Sequence, residues 1–137
     1  MAILLDASAI VAAADTADLN HAAAVAWFRR ADEPLLLGAL TLGEIDVVLQ
    51  RELSAEATLS VVEAIVGGAI RLVAPTEPDL ERATELLRDA AEHRPRLADA
   101  ILVATAERLG VRRVATFDRR PIAILRPRHV RALDLEP

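Results

Sequence analysis

Four carboxylates stand out by their settings. Asp6 ends the apolar run Ala2–Leu5, and Glu44 closes the segment Thr41-Leu42-Gly43-Glu44. Asp99 is embedded in Leu97-Ala98-Asp99-Ala100-Ile101, and Asp118 follows the strand-like segment Val111–Ala115 after Thr116 and Phe117. Each has a local explanation. Asp6 suits a cap for a helix starting near Ser8, and Thr41 with Glu44 fits a capping box. Asp99 falls in a first helical turn, where the dipole favours negative charge, and Asp118 suits a turn before Arg119-Arg120-Pro121. Capping does not explain why Asp99 is surrounded by residues that read as buried, because an unpaired buried charge is costly. Acids converging on one cleft repel one another, and a divalent cation offsets that repulsion. An all-oxygen donor set suits Mg²⁺ or Mn²⁺, with waters that can serve as nucleophiles.

Composition removes several other chemistries. The 137 residues contain no cysteine, which excludes disulfides, thiolate metal sites and cysteine nucleophiles. All 16 basic residues are arginine. Without lysine, neither a P-loop ending in Gly-Lys-Ser/Thr nor the lysine-assisted chemistry of aspartyl phosphatases and phospho-receivers is available. His21, His93 and His129 are scattered, without metal-ligand spacing. The net charge of -5 argues against a surface that is basic throughout, although local arginine clusters can still hold phosphate. No apolar run approaches the length of a membrane span and no signal-like leader is evident, so a soluble, cytoplasmic protein is expected.

The elements that must position the acids read as alternating strands and helices within one domain, residues 1–137. The short apolar runs Ala2–Leu5 and Leu35–Leu37, with the segments Ile70–Val73, Val111–Ala115 and Val130–Leu135, predict five strands. Between them, helices are expected over 8–14, 18–30, 41–51, 54–67, 78–92 and 96–109, the last stopped by Gly110. This alternation predicts an α/β domain with a largely parallel sheet covered on both faces. Ligands of such sheets gather beyond the carboxyl ends of the strands, near the point where strand order reverses. Asp6 and Asp118 belong at that edge.

In their order and spacing, Leu5-Asp6-Ala7-Ser8, Thr41–Glu44, Leu97-Ala98-Asp99-Ala100 and Thr116-Phe117-Asp118 resemble the motifs of PIN domains, and the chain's size resembles the VapC-like toxins of that family. The resemblance spans nearly the whole chain. It implies a three-layer α/β/α sandwich with about five strands and a Mg²⁺-dependent endoribonuclease, with Mn²⁺ as an alternative ion. It also implies a toxin of a type II toxin–antitoxin pair, restrained by a VapB-like antitoxin and forming a homodimer. Carried over by position, Asp6, Glu44, Asp99 and Asp118 are the catalytic acids, with Asp6, Asp99 and Asp118 holding one or two metal ions. Glu44 would position the attacking water or a second metal ion, and Ser8 and Thr116 would orient a carboxylate or water. Asp46, two residues beyond Glu44, points away from it on a helix. The segment Pro121-Ile122-Ala123-Ile124 departs from the family by offering aliphatic residues where a phenylalanine is common.

Carboxylates repel phosphate, so RNA must be gripped from outside the acidic centre. Arg112, Arg113, Arg119, Arg120, Arg126 and Arg128 are the nearest cations in sequence, each equally open to a role on a solvated surface or against an antitoxin. Trp27 and Phe28 fit core packing better than base stacking. Two other readings remain: a catalytically silent binding module of the same fold, and a nuclease directed at DNA. Metal binding followed by cleavage discriminates among them.

Overall fold

Ile3-Leu4-Leu5 and Leu35-Leu36-Leu37 are apolar at every position because strands at the centre of a parallel sheet are covered on both faces. The computed structural model describes residues 1–137. Its first half runs β1 (Ile3–Leu5), α1 (Ala7–Ala14), α2 (His21–Arg30), β2 (Leu35–Gly38), α3 (Ala39–Glu52), α4 (Ala55–Val66) and β3 (Ile70–Val73). The second half runs α5 (Glu77–Asp89), a 3-10 turn at Ala91–His93, α6 (Leu97–Leu109), β4 (Arg113–Ala115), α7 (Arg120–Ala123) and β5 (Asp134–Glu136). Every strand pairing is parallel, in the order β3-β2-β1-β4-β5. Alternation along β1 sends Ile3 and Leu5 to one face and Leu4 to the other. Ile3 and Leu5 pack with Ile10, Trp27, Ile45, Leu49 and Val61 from α1 to α4. Leu4 packs with Ala83 and Leu86 of α5, with α6, and with Ile122 of α7. The sheet lies between these two cores, so the expected three-layer sandwich is present. No helix is long and apolar enough to cross a membrane.

Several boundaries differ from expectation. Helix α3 starts at Ala39 with Gly38 as its cap, so Thr41 and Glu44 make no capping box and Glu44 lies beyond the first turn. The pattern Thr-x-x-Glu also fits a helix interior, and here β2 runs directly into the helix without a loop. The expected fifth strand over 130–135 forms only at Asp134–Glu136, and a short helix, α7, occupies part of the proline-punctuated stretch. Ile122 of α7 is 2% exposed, so an aliphatic side chain fills this part of the core. Gly110 closes α6 at φ 68°, a left-handed conformation that favours glycine.

Helix α6 carries an unbroken run of buried residues from Asp99 to Ala106. Its exposed end is tied down by Arg108, whose Nε donates to both carboxylate oxygens of Asp79 at 3.0 Å. Asp79 also completes the capping box of α5 with Thr76. Burial pushes the Asp79 carboxyl up, but Arg108 and Thr76 more than reverse this and hold it below the ordinary range. An acid with a depressed folded pKa contributes stability above its unfolded value and loses it as pH falls through the folded one. Asp79→Asn is therefore expected to cost about 2 kcal/mol at pH 7. Denaturant titrations from pH 7 to pH 2 should show that deficit shrinking below about pH 4; a constant deficit would assign the loss to helix capping alone.

Candidate active site

Strands β1 and β4 are neighbours, while the connections leaving them run to opposite sides of the sheet. Their carboxyl ends therefore form the point where strand order reverses. Asp6 leaves β1 there, and Thr116, Phe117 and Asp118 leave β4, with Asp6 N donating to Ala115 O at 2.9 Å. Asp6 occupies the capping position of α1, but its side chain makes no capping bond. Instead, Asp6 Oδ2 accepts from Ser8 Oγ at 2.7 Å and from Thr116 Oγ1 at 2.8 Å. The same hydroxyls accept backbone donors in turn: Phe117 N to Ser8 Oγ at 2.9 Å and Asp118 N to Thr116 Oγ1 at 3.0 Å. One hydroxyl network thus fixes the Asp6 carboxylate and orders the chain leading to Asp118. Both hydroxyls engage Oδ2, which leaves Oδ1 for other ligands.

Asp6, Ser8, Glu44, Arg96, Phe117 and Asp118 border a depression of about 290 Å³. Helix α3 brings Glu44 to its wall, with the side chain 31% exposed. Asp99 lies in the first turn of α6 and is 2% exposed. Its carboxylate receives Arg96 Nε at 3.0 Å and Nη2 at 3.4 Å, while Arg96 Nη1 stands 3.6 Å from Glu44 Oε2. Sequence reasoning had not singled out Arg96, although its position three residues before Asp99 at a helix start is a legible ion-pair spacing.

Burial is the main cause that raises the Asp99 carboxyl above its ordinary range, and the negative charges of Asp6 and Asp118 add to it against the opposing pull of Arg96. Glu44 is raised in the same way, first by burial and then by Asp99 and Asp6, again against Arg96. Asp99 is therefore close enough to feel the charges of Asp6 and Asp118, and Glu44 those of Asp99 and Asp6. A group with excess negative charge, oxygen donors only and no histidine or thiol fits a hard divalent cation. The arrangement is open, with no three acidic or histidine side chains in a ligating cluster. Arg96 draws on Asp99 and Glu44, and the hydroxyls hold Asp6.

The expected outer arginines divide. Arg113 pairs with Glu136 at 2.9 Å and with Glu33 at 3.5 Å, at the opposite end of β4 from Asp118. Arg128 is bound to Glu85, and Arg112 precedes β4, so neither borders the acidic depression. Arg119 and Arg120 directly follow Asp118 and are exposed. Trp27 is 6% exposed and donates Nε1 to Glu136 Oε1 at 3.1 Å, as a core residue would. Asp46 faces away from the site, accepting from Gln50 Nε2 at 2.9 Å.

Residues 3–126 match the model of the PIN domain family. Ribonuclease VapC26 of Mycobacterium tuberculosis is 29% identical over 125 residues, which cover 91% of this chain and 93% of that protein. Among solved structures, M. tuberculosis VapC20, described as a sarcin-ricin loop cleaving toxin, superposes with a TM-score of 0.83 at 22% identity, covering 94% of this chain and 98% of that one. VapBC2 from Rickettsia felis, solved with a DNA fragment of its promoter, gives a TM-score of 0.69 at 12% identity over 99% of this chain and 98% of the other.

Proposed function

Because the chain belongs to the PIN-domain family, we propose that it is a divalent-cation-dependent endoribonuclease and the toxin of a VapBC-like toxin–antitoxin pair. The observation that carries this reading is the gathering of Asp6, Glu44, Asp99 and Asp118 at the strand-order reversal, where burial and mutual repulsion raise Asp99 and Glu44. Asp6, Asp99 and Asp118 would hold Mg²⁺ or Mn²⁺, which supplies charge stabilisation to a phosphodiester under attack and acidifies water. Glu44, with its raised pKa and partial exposure, would orient the attacking water and accept its proton. Ser8 and Thr116 hold the Asp6 carboxylate, and Arg119 and Arg120, exposed and next in sequence to Asp118, would meet phosphates flanking the scissile bond.

The ribonuclease reading is supported by the name of the M. tuberculosis VapC26 relative. An antitoxin partner is supported by the VapBC2 complex among the structural neighbours. Val47 on α3 and Leu59, Val62 and Val66 on α4 are large apolar side chains left exposed, a surface suited to an antitoxin helix or to a second copy in a homodimer.

The test is cleavage of structured RNAs, including a sarcin–ricin-type hairpin, and of single-stranded DNA, each with Mg²⁺, Mn²⁺ or chelator. Metal-dependent cutting confined to RNA is expected. Cutting confined to DNA would leave the chemistry and overturn the substrate. No cutting, with no cation bound in calorimetry, would reduce the chain to a binding module.

A further inference from the structure

The acidic centre has a cation of its own. The Arg96 guanidinium forks onto the buried Asp99 carboxylate and reaches Glu44 on another helix, yet its side chain remains 56% exposed. It is the cation that the structure puts in ion-pair contact with these acids. Its placement is enforced by the backbone. Arg94, two residues earlier, has φ 49° and ψ 55°, the left-handed region that a non-glycine residue enters at a cost of about 1 kcal/mol. Pro95 follows and further disfavours a helical conformation at Arg94. A strained residue of this kind persists only where its surroundings over-determine it. The strained turn ends with Arg96 at the capping position of α6, from which its side chain borders the acidic depression.

We propose that Arg96 is the internal counter-ion of the acidic centre, a positioning residue that competes with the divalent cation for Asp99 and Glu44. Without a cation, Arg96 holds together carboxylates that would otherwise repel one another. When a cation binds, the guanidinium must release at least one of them, because two positive centres cannot share the same carboxylate oxygens closely. Its exposure lets it swing into solvent without a large rearrangement. Cation affinity is therefore set below what the four acids alone would give. This inference rests on the metal-dependent reading of the site.

Isothermal titration of the full chain with Mn²⁺ and Mg²⁺ separates the possibilities. Arg96→Gln is expected to bind Mn²⁺ about tenfold more tightly than wild type, because one unit of opposing charge has gone. Arg96→Lys keeps the charge and loses the fork, and should stay within about threefold of wild type. Thermal melts supply a second readout: in chelator Arg96→Gln should melt below wild type, and saturating Mn²⁺ should narrow the gap. If Arg96→Gln binds the cation no more tightly than wild type, or if both proteins gain equally from it, Arg96 is a structural ion pair and the proposal fails. Arg96→Lys binding as tightly as Arg96→Gln would also overturn competition by charge. A wild type that binds neither cation would remove the metal-dependent reading together with this inference, which distinguishes that failure from the others.

Discussion

Asp99→Asn is expected to lower RNA cleavage by about 10³-fold while leaving the protein at least as stable as wild type at pH 7 in chelator. On the proposed function, the loss of activity follows from removing a carboxylate that would hold the cation, where a deficit of about 4 kcal/mol in transition-state stabilisation corresponds to three powers of ten. The stability expectation follows from the sign of the Asp99 shift. Burial, then Asp6 and Asp118, raise this carboxyl despite Arg96. An acid with a raised folded pKa subtracts stability once ionised. That penalty is absent below the unfolded value of about 4, grows between the two pKa values and is complete above the folded one. Asparagine has nearly the same shape and never ionises, so its advantage should appear at neutral pH and close as pH falls below about 4. Mn²⁺ should raise the melting temperature of wild type and have little effect on the variant. Cleavage within tenfold of wild type would remove Asp99 from the reacting centre. A variant that melts well below wild type at pH 7 would show that the Arg96 pair outweighs the repulsion.

The second large effect is expected at Thr116, which touches no substrate in this scheme. Its hydroxyl is 1% exposed at the residue level, lies 2.8 Å from Asp6 Oδ2 and accepts from Asp118 N at 3.0 Å. Thr116→Val keeps the shape and removes the oxygen, so the Asp118 amide loses its acceptor and Asp6 keeps only Ser8. Leaving the part-buried Asp118 amide without its acceptor costs about 1 kcal/mol. Loss of a group that orients a metal-binding carboxylate typically costs about 10–100-fold in activity or metal affinity. A lower melting temperature together with weaker Mn²⁺ binding is the expected result, with Thr116→Ser recovering most of both because it restores the hydroxyl. Equal activity in the valine variant would show that Ser8 alone is enough to fix Asp6.

Much of this architecture is legible in the chain. Strands β1 and β2 appear as unbroken apolar runs because a parallel sheet covered on both faces needs apolar side chains in both directions. Asp6 and Asp118 were placeable at strand ends because polarity changes abruptly where the chain leaves the core. Gly110 marks the end of α6 because few other residues tolerate its positive φ. The beginning of α3 was less legible, since Thr41 and Glu44 satisfy a capping pattern that says nothing about whether the helix has already begun at Ala39.

By itself the sequence determined which residue types are available for chemistry: carboxylates without thiols or lysines, carried on alternating strands and helices. Tertiary structure alone decided which of them meet. That β1 lies beside β4, bringing Thr116 to Asp6 across 110 positions, is a consequence of strand order that no local pattern encodes. It is also topology that ties Arg113 to Glu136 and Arg128 to Glu85, engaging two candidate phosphate contacts in ion pairs within the chain. Periodicity reports only which face of its own element a side chain occupies, whereas a charge finds its partner through the packing of elements distant in sequence. Arg96 combines the two: its spacing to Asp99 is local, but its reach to Glu44 exists only because α3 and the turn leading into α6 border the same depression.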